Sequence, residues 1–228
     1  MTAWTSRELA AHIQHTLIQP GVTYAALAAH CDECTTYGFD AAMIPAAWVP
    51  EARRLLAGSG VKVASAVDFP LGCMTTAGKV AEVRGLVEAG VDEIDVGVQT
   101  GWLLSGDFER YLTDMRAMVE AAPGVAIKVM LELPLLDAAT RELAVLAAVE
   151  AGVAYAKNAS GGAVGVATPD EMRFLRARLP GTIGVKASGG IRTAEQAAAL
   201  LDAGASLIGT SHGLAIVGAS AAHLAGGY

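Results

Sequence analysis

Short apolar segments alternate with longer segments of helical character along nearly the whole chain. The apolar runs are typical of buried strands, and the longer segments place apolar residues three or four positions apart, as amphipathic helices do. We predict eight strands, at residues 13–17, 41–44, 61–67, 93–98, 126–131, 155–158, 183–187 and 207–209. Between them we predict helices at 23–37, 49–56, 79–89, 107–121, 138–151, 169–178 and 194–203, with a short helix at 6–12 before the first strand and one more after Gly213.

Three of these helices end in nearly the same sequence, and each ending is followed within a few residues by an apolar strand. The endings are Glu88-Ala89-Gly90-Val91, Glu150-Ala151-Gly152-Val153 and Asp202-Ala203-Gly204-Ala205. Repeated strand–helix units of roughly thirty residues imply parallel strands joined by right-handed crossovers. The pattern therefore predicts a (β/α)₈ barrel that occupies residues 1–228 as a single domain, with an open doubly wound sheet as the alternative.

The composition leaves this prediction unchanged and excludes several classes of function. The chain has 228 residues, of which 53% are hydrophobic, and this suffices for one large core. A formal net charge of −7 without any basic tract argues against nucleic acid or an anionic membrane as a partner. No apolar run reaches the roughly 18 residues of a membrane-spanning helix, and the first residues lack a signal-peptide pattern. We therefore expect a cytoplasmic protein that acts on a small molecule.

The three cysteines give a weak signal. An odd number without a secretory context argues against a disulfide framework. Cys31 and Cys34 have C-x-x-C spacing with His30 before them, but a zinc site needs a second pair of ligands, and a redox motif is expected between a strand and a helix. We predict that both are small apolar residues of a helix, with metal or redox chemistry as the alternative, and we expect no metal site.

Two lysines end neighbouring predicted strands, and they carry the strongest chemical signal. Lys157 precedes Lys186 by one strand–helix unit, so both side chains can enter one apolar cavity at the carboxyl end of the barrel. Desolvation and repulsion do not allow both ammonium groups to stay charged, so one becomes a neutral amine, which is a nucleophile towards carbonyls. The alternative is a buried ion network in which both lysines pair with Asp95 and Glu132.

Two further features surround the lysine pair, as we call Lys157 and Lys186. Asp95 lies within an apolar strand and can relay protons to a leaving carbinolamine hydroxyl, or serve as a counter-ion of Lys186, and the two roles are compatible. The Gly189-Gly190 turn comes just before a helix that Thr193 caps, where an anion is favoured. The alternative interpretation of this second feature is a surface lysine followed by an ordinary loop.

These motifs together resemble the deoxyribose-phosphate aldolase family, whose members are class I (Schiff-base) aldolases on a (β/α)₈ barrel. The residues that carry the resemblance are 69–72 with Thr75-Thr76 and Lys79, 92–95, Lys157 before a Ser/Gly-rich turn, 184–192 and 209–211. The resemblance implies that Lys157 forms an imine with the aldehyde donor, that Lys186 tunes it and that Asp95 shuttles protons. It implies reversible joining of acetaldehyde to glyceraldehyde 3-phosphate, without metal or organic cofactor, by a homodimer.

Substrate binding is predicted at polar residues and glycines around the lysine pair. They are Gln14, Thr16, Ser160, Ser188, Gly189, Gly190, Arg192, Gly209, Ser211, His212 and Tyr228. The backbone amides at Gly189, Gly190, Gly209 and Ser211, with Arg192, are expected to bind phosphate. The resemblance implies that the terminal Tyr228 assists proton abstraction, and a chain end outside the site is the alternative.

The chain departs from the family pattern around the predicted site. Gln14 stands where the family has Asp, so we expect Lys186 to be less well held and the site to lack one proton acceptor. The other departures are a turn at 157–161 that loses two hydroxyls, Pro45-Ala46-Ala47, Met74, Leu133-Pro134 and His212. They predict a more apolar pocket and a natural substrate that differs from deoxyribose phosphate. An imine-forming enzyme that acts on a different, non-phosphorylated carbonyl compound is the first alternative, and a barrel that only binds a metabolite is the second.

Overall fold

The computed structural model describes residues 4–219, and its eight strands close into a parallel barrel. The strands are β1 (Ile13–Thr16), β2 (Ala41–Met43), β3 (Lys62–Val67), β4 (Glu93–Gly97), β5 (Ala126–Met130), β6 (Tyr155–Lys157), β7 (Gly184–Ser188) and β8 (Leu207–Thr210). Each strand pairs with the next along the chain, and β8 returns to pair with β1, where Gln14 is in register with Gly209. The predicted (β/α)₈ barrel is confirmed. The open sheet is excluded, and a single domain over residues 1–228 stays a prediction.

Ten α-helices surround the barrel within residues 4–219. They are α1 (Ser6–Ala10), α2 (Tyr24–Tyr37), α3 (Val49–Leu55), α4 (Thr76–Glu88), α5 (Thr100–Leu104), α6 (Phe108–Ala121), α7 (Ala138–Ala151), α8 (Pro169–Arg178), α9 (Ala194–Asp202) and α10 (Gly213–Ile216). Short 3₁₀ helices also occur at Ala46–Trp48 and Leu133–Leu135. We did not predict α5, because five residues between a strand and a longer helix are too few to show helical periodicity.

Local sequence fixes where the helices begin and end. The Thr193 side chain accepts the backbone N–H of Gln196, whose own side chain accepts the N–H of Thr193, and this pair of bonds caps α9. In α4 the helix begins at Thr76 rather than at the predicted Lys79, because Thr75 caps it. Gly152 ends α7 in the left-handed conformation, with φ at 74°. The repeated glycine endings are therefore true helix stops.

The two faces of the strands differ in chemistry. In β4, the buried Glu93 and Asp95 alternate with Ile94 and Val96, so the two carboxylates share one face and the two apolar side chains share the other. Ile94 and Val96 belong to the large apolar core that strands and helices form together. The barrel interior thus collects the polar side chains, and the layer between strands and helices collects the apolar ones.

None of the helices within residues 4–219 has the length and apolar composition needed to cross a bilayer.

The C-x-x-C pair lies on a helix, as predicted. Burial raises the pKa of the Cys31 thiol to about 11 and raises the pKa of Cys34 well above its usual range. Beside them, His15 Nε2 lies 3.1 Å from Glu33 Oε2, and the rings of His15 and His30 stack with centroids 4.5 Å apart and planes 25° from parallel. One ligand atom each of His15, His30 and Glu33 lies within 4.8 Å of the others. Nε2 of His15 contacts Glu33 Oε2 and Nε2 of His30 contacts the carbonyl oxygen of His15, each at 3.1 Å, so we interpret this group as packing and hydrogen bonding.

A thiol titration tests this interpretation of the cysteines. In the native protein we expect one thiol per chain, Cys73, to react with an aromatic disulfide reagent at pH 8, because Cys73 is exposed while Cys31 and Cys34 are buried. In urea all three should react. Rapid native reaction of two or three thiols would contradict the assignment.

A buried ion pair anchors the loop that follows β3. Lys79 Nζ is fully buried, donates to Asp114 Oδ2 and to the carbonyl oxygen of Gly97 at 3.1 Å, and lies 3.9 Å from Asp68 Oδ2. Asp68, at the start of the loop, in turn accepts the backbone N–H groups of Cys73 and Met74, each at 2.9 Å. One ammonium group therefore links α4, α6, the end of β4 and this loop.

Removing one partner of this pair should destabilise the protein strongly. We expect Asp114→Ala to lower the free energy of unfolding by about 3–5 kcal/mol, because it leaves a buried ammonium without its main counter-ion. The matched control is Asp170→Ala, which breaks the solvent-exposed Asp170–Arg173 pair and should change stability little. Urea denaturation measures both, and equal effects of the two substitutions would contradict the prediction.

Candidate active site

A cavity of about 640 Å³ opens at the carboxyl ends of the strands. It is lined by twelve of the residues predicted from the sequence, namely Thr16, Asp95, Lys157, Ser160, Lys186, Ser188, Gly189, Gly190, Arg192, Gly209, Ser211 and His212. Of the two other predicted residues, Gln14 does not line the cavity and Tyr228 lies outside the described residues. The cavity is where chemistry is expected in a barrel of this type.

The lysine pair meets on a single carboxylate oxygen at the floor of the cavity. Lys157 and Lys186 are direct partners in the register of β6 and β7. Lys157 Nζ lies 2.9 Å from Asp95 Oδ2, and Lys186 Nζ lies 2.7 Å from the same oxygen. Their exposed fractions are 5% and 1%, so Lys186 is the deeper of the two. Two amines and one carboxylate therefore form a compact cluster with little exposure to solvent.

Burial and the oppositely charged partners shift the pKa values of Lys186 and Asp95 in opposite directions. Burial lowers the pKa of Lys186 to about 7, against the attraction of Asp95, and the ammonium groups of Lys128 and Lys157 add to the lowering. Burial alone would raise the pKa of Asp95, but Lys157, Lys186 and Lys128 outweigh it and hold this pKa well below its usual range. The sequence argument required only that one of the two lysines become neutral, and the resemblance gave the imine to Lys157. The lowered pKa found here is that of Lys186, which lies deep in the barrel near two other amines.

Gln14 was predicted to bind substrate, and the structure corrects this. Its side chain is fully buried beneath the cavity, with Lys186 above it. Its Oε1 accepts from Lys186 Nζ at 2.6 Å, and its Nε2 donates to Glu93 Oε2 at 2.6 Å and to Asp40 Oδ2 at 2.9 Å. The amide oxygen supplies an acceptor for Lys186 but carries no negative charge, so the expectation that Lys186 is less well held than with a carboxylate stays a prediction.

A second group of charges below the lysine pair was missed by the sequence analysis, and we call it the lower cluster: Asp40, Lys62, Glu93 and Lys128. Lys128 Nζ lies 2.6 Å from Glu93 Oε2, and Lys62 Nζ lies 2.9 Å from both Asp40 Oδ1 and Glu93 Oε1. Glu93 was predictable, because it lies two residues before Asp95 and so on the same face of β4. Asp40 and Lys62 carry no such signal, because they lie at the beginning of strands, away from the carboxyl ends.

The alternative of a buried ion network is half right. Asp95 does pair with both lysines, but Glu132 does not join them, because its two carboxylate oxygens accept the backbone N–H of Ser160 at 3.0 and 3.1 Å. Glu132 adopts the left-handed conformation, with φ at 54°, and burial raises its pKa. This carboxyl therefore fixes the turn that follows Lys157.

Asn158, next to Lys157, connects the ends of the two lysine-bearing strands. Its Oδ1 accepts the backbone N–H of Ser188 at 2.8 Å, and its Nδ2 donates to Glu171 Oε2 at 3.1 Å. The side chain is fully buried. The sequence analysis noted only the hydroxyl that is lost at this position, whereas the amide makes two bonds that hold the turn after β6 against β7 and α8.

The rim of the cavity has a glycine-rich side and an apolar side. Gly189 and Gly190 have φ of 111° and 68°, and a Cβ at Gly189 would lie 2.2 Å from the carbonyl oxygen of Gly165, so only glycine fits there. Arg192, Ser211 and His212 are exposed beside this turn. The residues of the apolar side are Ile18, Met43, Ala66, Phe69 and Val166.

Comparison with known proteins was made on both sequence and structure. No family model matches the chain. The chain is 39% identical to the deoxyribose-phosphate aldolase of Brevibacillus brevis over 90% of its own length and 93% of that protein's, and 38% identical to that of Deinococcus radiodurans over 92% and 95%. A tetrameric deoxyribose phosphate aldolase structure from Aeropyrum pernix superposes with a TM-score of 0.86 at 32% identity, covering 94% of this chain and 91% of that one. Relatives at this identity, matched over most of their length, place the chain in the deoxyribose-phosphate aldolase family.

Proposed function

We propose that the protein is a class I aldolase that makes and breaks a carbon–carbon bond through an imine on Lys157. The observation that carries this proposal is the lysine pair, whose two amines share Asp95 Oδ2 at the floor of the cavity. Lys157 is the nucleophile because it is the more exposed amine. Aldolase relatives that align over most of both chains support the reaction class.

The shared oxygen gives a route for the proton that the nucleophile must lose. Lys157 passes a proton through Asp95 Oδ2 to the neutral amine of Lys186, and its own free amine then adds to the carbonyl carbon of the donor aldehyde. The resulting carbinolamine loses its hydroxyl as water when the proton returns by the same route. Asp95 relays protons without storing one, because its pKa is far below 7, whereas Lys186, with a pKa of about 7, can hold one and release it.

The remaining steps follow from the iminium ion. Lys186, neutral again, takes up through Asp95 a proton from the carbon next to the iminium, and this gives an enamine. The enamine attacks the carbonyl carbon of an acceptor aldehyde to form the new bond, and the proton held by Lys186 passes to the new alkoxide. Water then adds to the product imine, and the freed aldol leaves Lys157 as an amine. Every step runs backwards for cleavage. We propose that the chemistry needs no metal or organic cofactor, since the buried amines and Asp95 supply both the nucleophile and the proton transfers.

The two sides of the rim suggest how a substrate is oriented. We propose that the phosphate of an acceptor such as glyceraldehyde 3-phosphate lies at Gly189, Gly190, Gly209 and Ser211, with Arg192 beside it, because this turn precedes the amino end of α9. Thr16, Ser160, Ser188 and His212 then face the hydroxyl groups. The apolar side leaves room for a small donor such as acetaldehyde. A homodimer and a cytoplasmic location stay predictions.

A second candidate uses the same imine on a carbonyl compound without phosphate. The apolar side of the cavity, with Ile18, Met43 and Val166, favours it, as does His212, which is exposed at the rim. Turnover measured with acetaldehyde and a matched pair of acceptors, one phosphorylated and one not, distinguishes the two. Arg192→Ala should slow only the phosphorylated acceptor if the first candidate is correct.

Reductive trapping tests the imine directly. Treatment with acetaldehyde and borohydride should replace one N–H hydrogen of Lys157 by an ethyl group, because hydride reduces an imine to a stable secondary amine. Peptide mass spectrometry locates the net gain of C₂H₄. Lys157→Arg keeps a positive charge but never gives a neutral amine, so it should fold normally and show neither adduct nor turnover. A barrel that only binds metabolites would leave Lys157 unmodified, and that result would overturn the proposal.

The pH dependence of imine formation should follow Lys186. Below about pH 7 Lys186 becomes protonated and no longer accepts the proton of Lys157, so the rate should fall about tenfold per pH unit towards pH 5. Stopped-flow measurement of imine formation with excess aldehyde gives the profile. As a control, imine formation in Lys186→Met should be slow at every pH, and its rate should not change slope near pH 7. A wild-type rate that stays constant from pH 5 to 8 would disprove the role of Lys186.

A further inference from the structure

The lysine pair and the lower cluster form one continuous network of charges along the barrel axis. The lower cluster reaches Asp95 through Lys128, whose Nζ lies 3.3 Å from Asp95 Oδ1. At its other end Lys62 is partly exposed, with 40% of its side chain accessible. The network as a whole brings together four lysines and three carboxylates, namely Lys62, Lys128, Lys157 and Lys186 with Asp40, Glu93 and Asp95. It therefore has one positive charge in excess when all seven groups are ionised.

Gln14 lies between the two parts of this network. Its carbonyl oxygen accepts from Lys186 at 2.6 Å, and its NH₂ group donates to Glu93 at 2.6 Å and Asp40 at 2.9 Å. An amide has an acceptor at one end and two donors at the other, so it can satisfy an ammonium group and two carboxylates at once. It does so without contributing charge.

Lys186 faces few charges that would stabilise its ammonium form. The charged groups that act on it are one carboxylate and two amines: Asp95 from β4, Lys128 from β5 and Lys157 from β6. On the other side β8 presents Gly209, where an added Cβ would lie 3.0 Å from Lys186 Cε. The nearby Glu132 acts on Lys157 and binds the N–H of Ser160 instead. Gln14 is therefore the uncharged partner of the Lys186 amine, and a carboxylate at its position would add a second negative charge beside this ammonium group.

We propose that Gln14 is a positioning residue whose uncharged amide holds the Lys186 amine against Asp95 while keeping the network one carboxylate short, and that this shortage makes Lys186 the proton acceptor of the reaction. The role of Lys186 as proton acceptor rests on the proposed function. The effect of Gln14 on the ionisation of Lys186 does not. An excess buried charge is relieved when one group gives up its proton. Lys186 does so because it is buried deeper than Lys157, while within residues 4–219 both amines pair with the same carboxylate, that of Asp95.

The test compares two replacements of similar length. Gln14→Glu adds a carboxylate at the contact with Lys186, and its second oxygen meets Glu93 and Asp40 where the amide donated. Because the network has an excess of ammonium groups, we expect the new carboxylate to stay ionised and balance the network, so the titration midpoint of Lys186 should rise by about 1–3 pH units. Gln14→Met adds no charge and should give no such rise. Heteronuclear NMR of isotope-labelled lysine side chains, in the full-length protein without substrate, measures the midpoint, with Lys186→Met used to assign the signal.

A third variant changes the network in the opposite sense at a different position. Glu93→Gln removes a carboxylate from the lower cluster and leaves Lys128 with less compensation, so the midpoint of Lys186 should fall. This result is informative even if Gln14→Glu fails to fold. A rise with Gln14→Glu and a fall with Glu93→Gln support the proposal. A midpoint unchanged in either charge variant, or a rise of equal size in Gln14→Met, would overturn it.

Because the midpoint is read without turnover, this experiment and the proposed function fail separately. If borohydride leaves Lys157 unmodified while the midpoints move as expected, the charge balance stands and the aldolase proposal falls. If Lys157 is trapped but the midpoints do not move, Gln14 is only a structural link. Under the proposal, the acid limb of imine formation should also move upward in Gln14→Glu by the same number of pH units as the midpoint.

Discussion

The ion contacts of Asp95 are the interaction on which the interior of this protein depends. Burying a carboxylate or an ammonium group alone costs several kcal/mol, and each becomes tolerable only when oppositely charged partners and hydrogen bonds accompany it. Asp95 is fully buried and serves Lys157 and Lys186 through one oxygen and Lys128 through the other. No charge in this network can therefore be assessed by itself, because removing one changes the ionisation of the rest.

The closed barrel makes such a network possible. Five strands each direct a polar side chain towards the common axis, namely β1, β4, β5, β6 and β7. Their opposite faces pack apolar residues against the helices. The turns at the carboxyl ends are then fixed from outside the network: Asn158 connects β6 to β7, and Glu132 binds the amide of Ser160. The reactive amines thus belong to strands, and the residues proposed to recognise substrate lie at the ends of strands, as Thr16, Ser188 and Gly209 do, or in the turns that follow.

The architecture could be predicted from the sequence because it follows from local patterns. Apolar runs, capping threonines such as Thr193 and repeated glycine stops each act over a few residues, so they predict strands and helices and then the barrel. The lysine pair was predictable for a related reason, since strand order and the carboxyl-end rule bring Lys157 and Lys186 together. The lower cluster was not, because Asp40 and Lys62 lie at the beginning of strands, away from the carboxyl ends, and meet Glu93 through the register of β2, β3 and β4. Gln14 was misplaced because the register that puts it below Lys186 depends on β8 pairing with β1.

Two lysines in place of one resolve a conflict between two chemical requirements. A nucleophile must face the cavity to reach a carbonyl carbon, and it must also give up a proton before its amine can attack. Asp95 can pass that proton on but cannot keep it, since the surrounding ammonium groups hold its pKa far below 7. The deeper Lys186 can, because burial lowers its pKa to about 7, and the shared Oδ2 atom connects it to Lys157. Depth within the barrel therefore separates proton storage from nucleophilic attack, and Gln14 maintains that separation by holding Lys186 without charge.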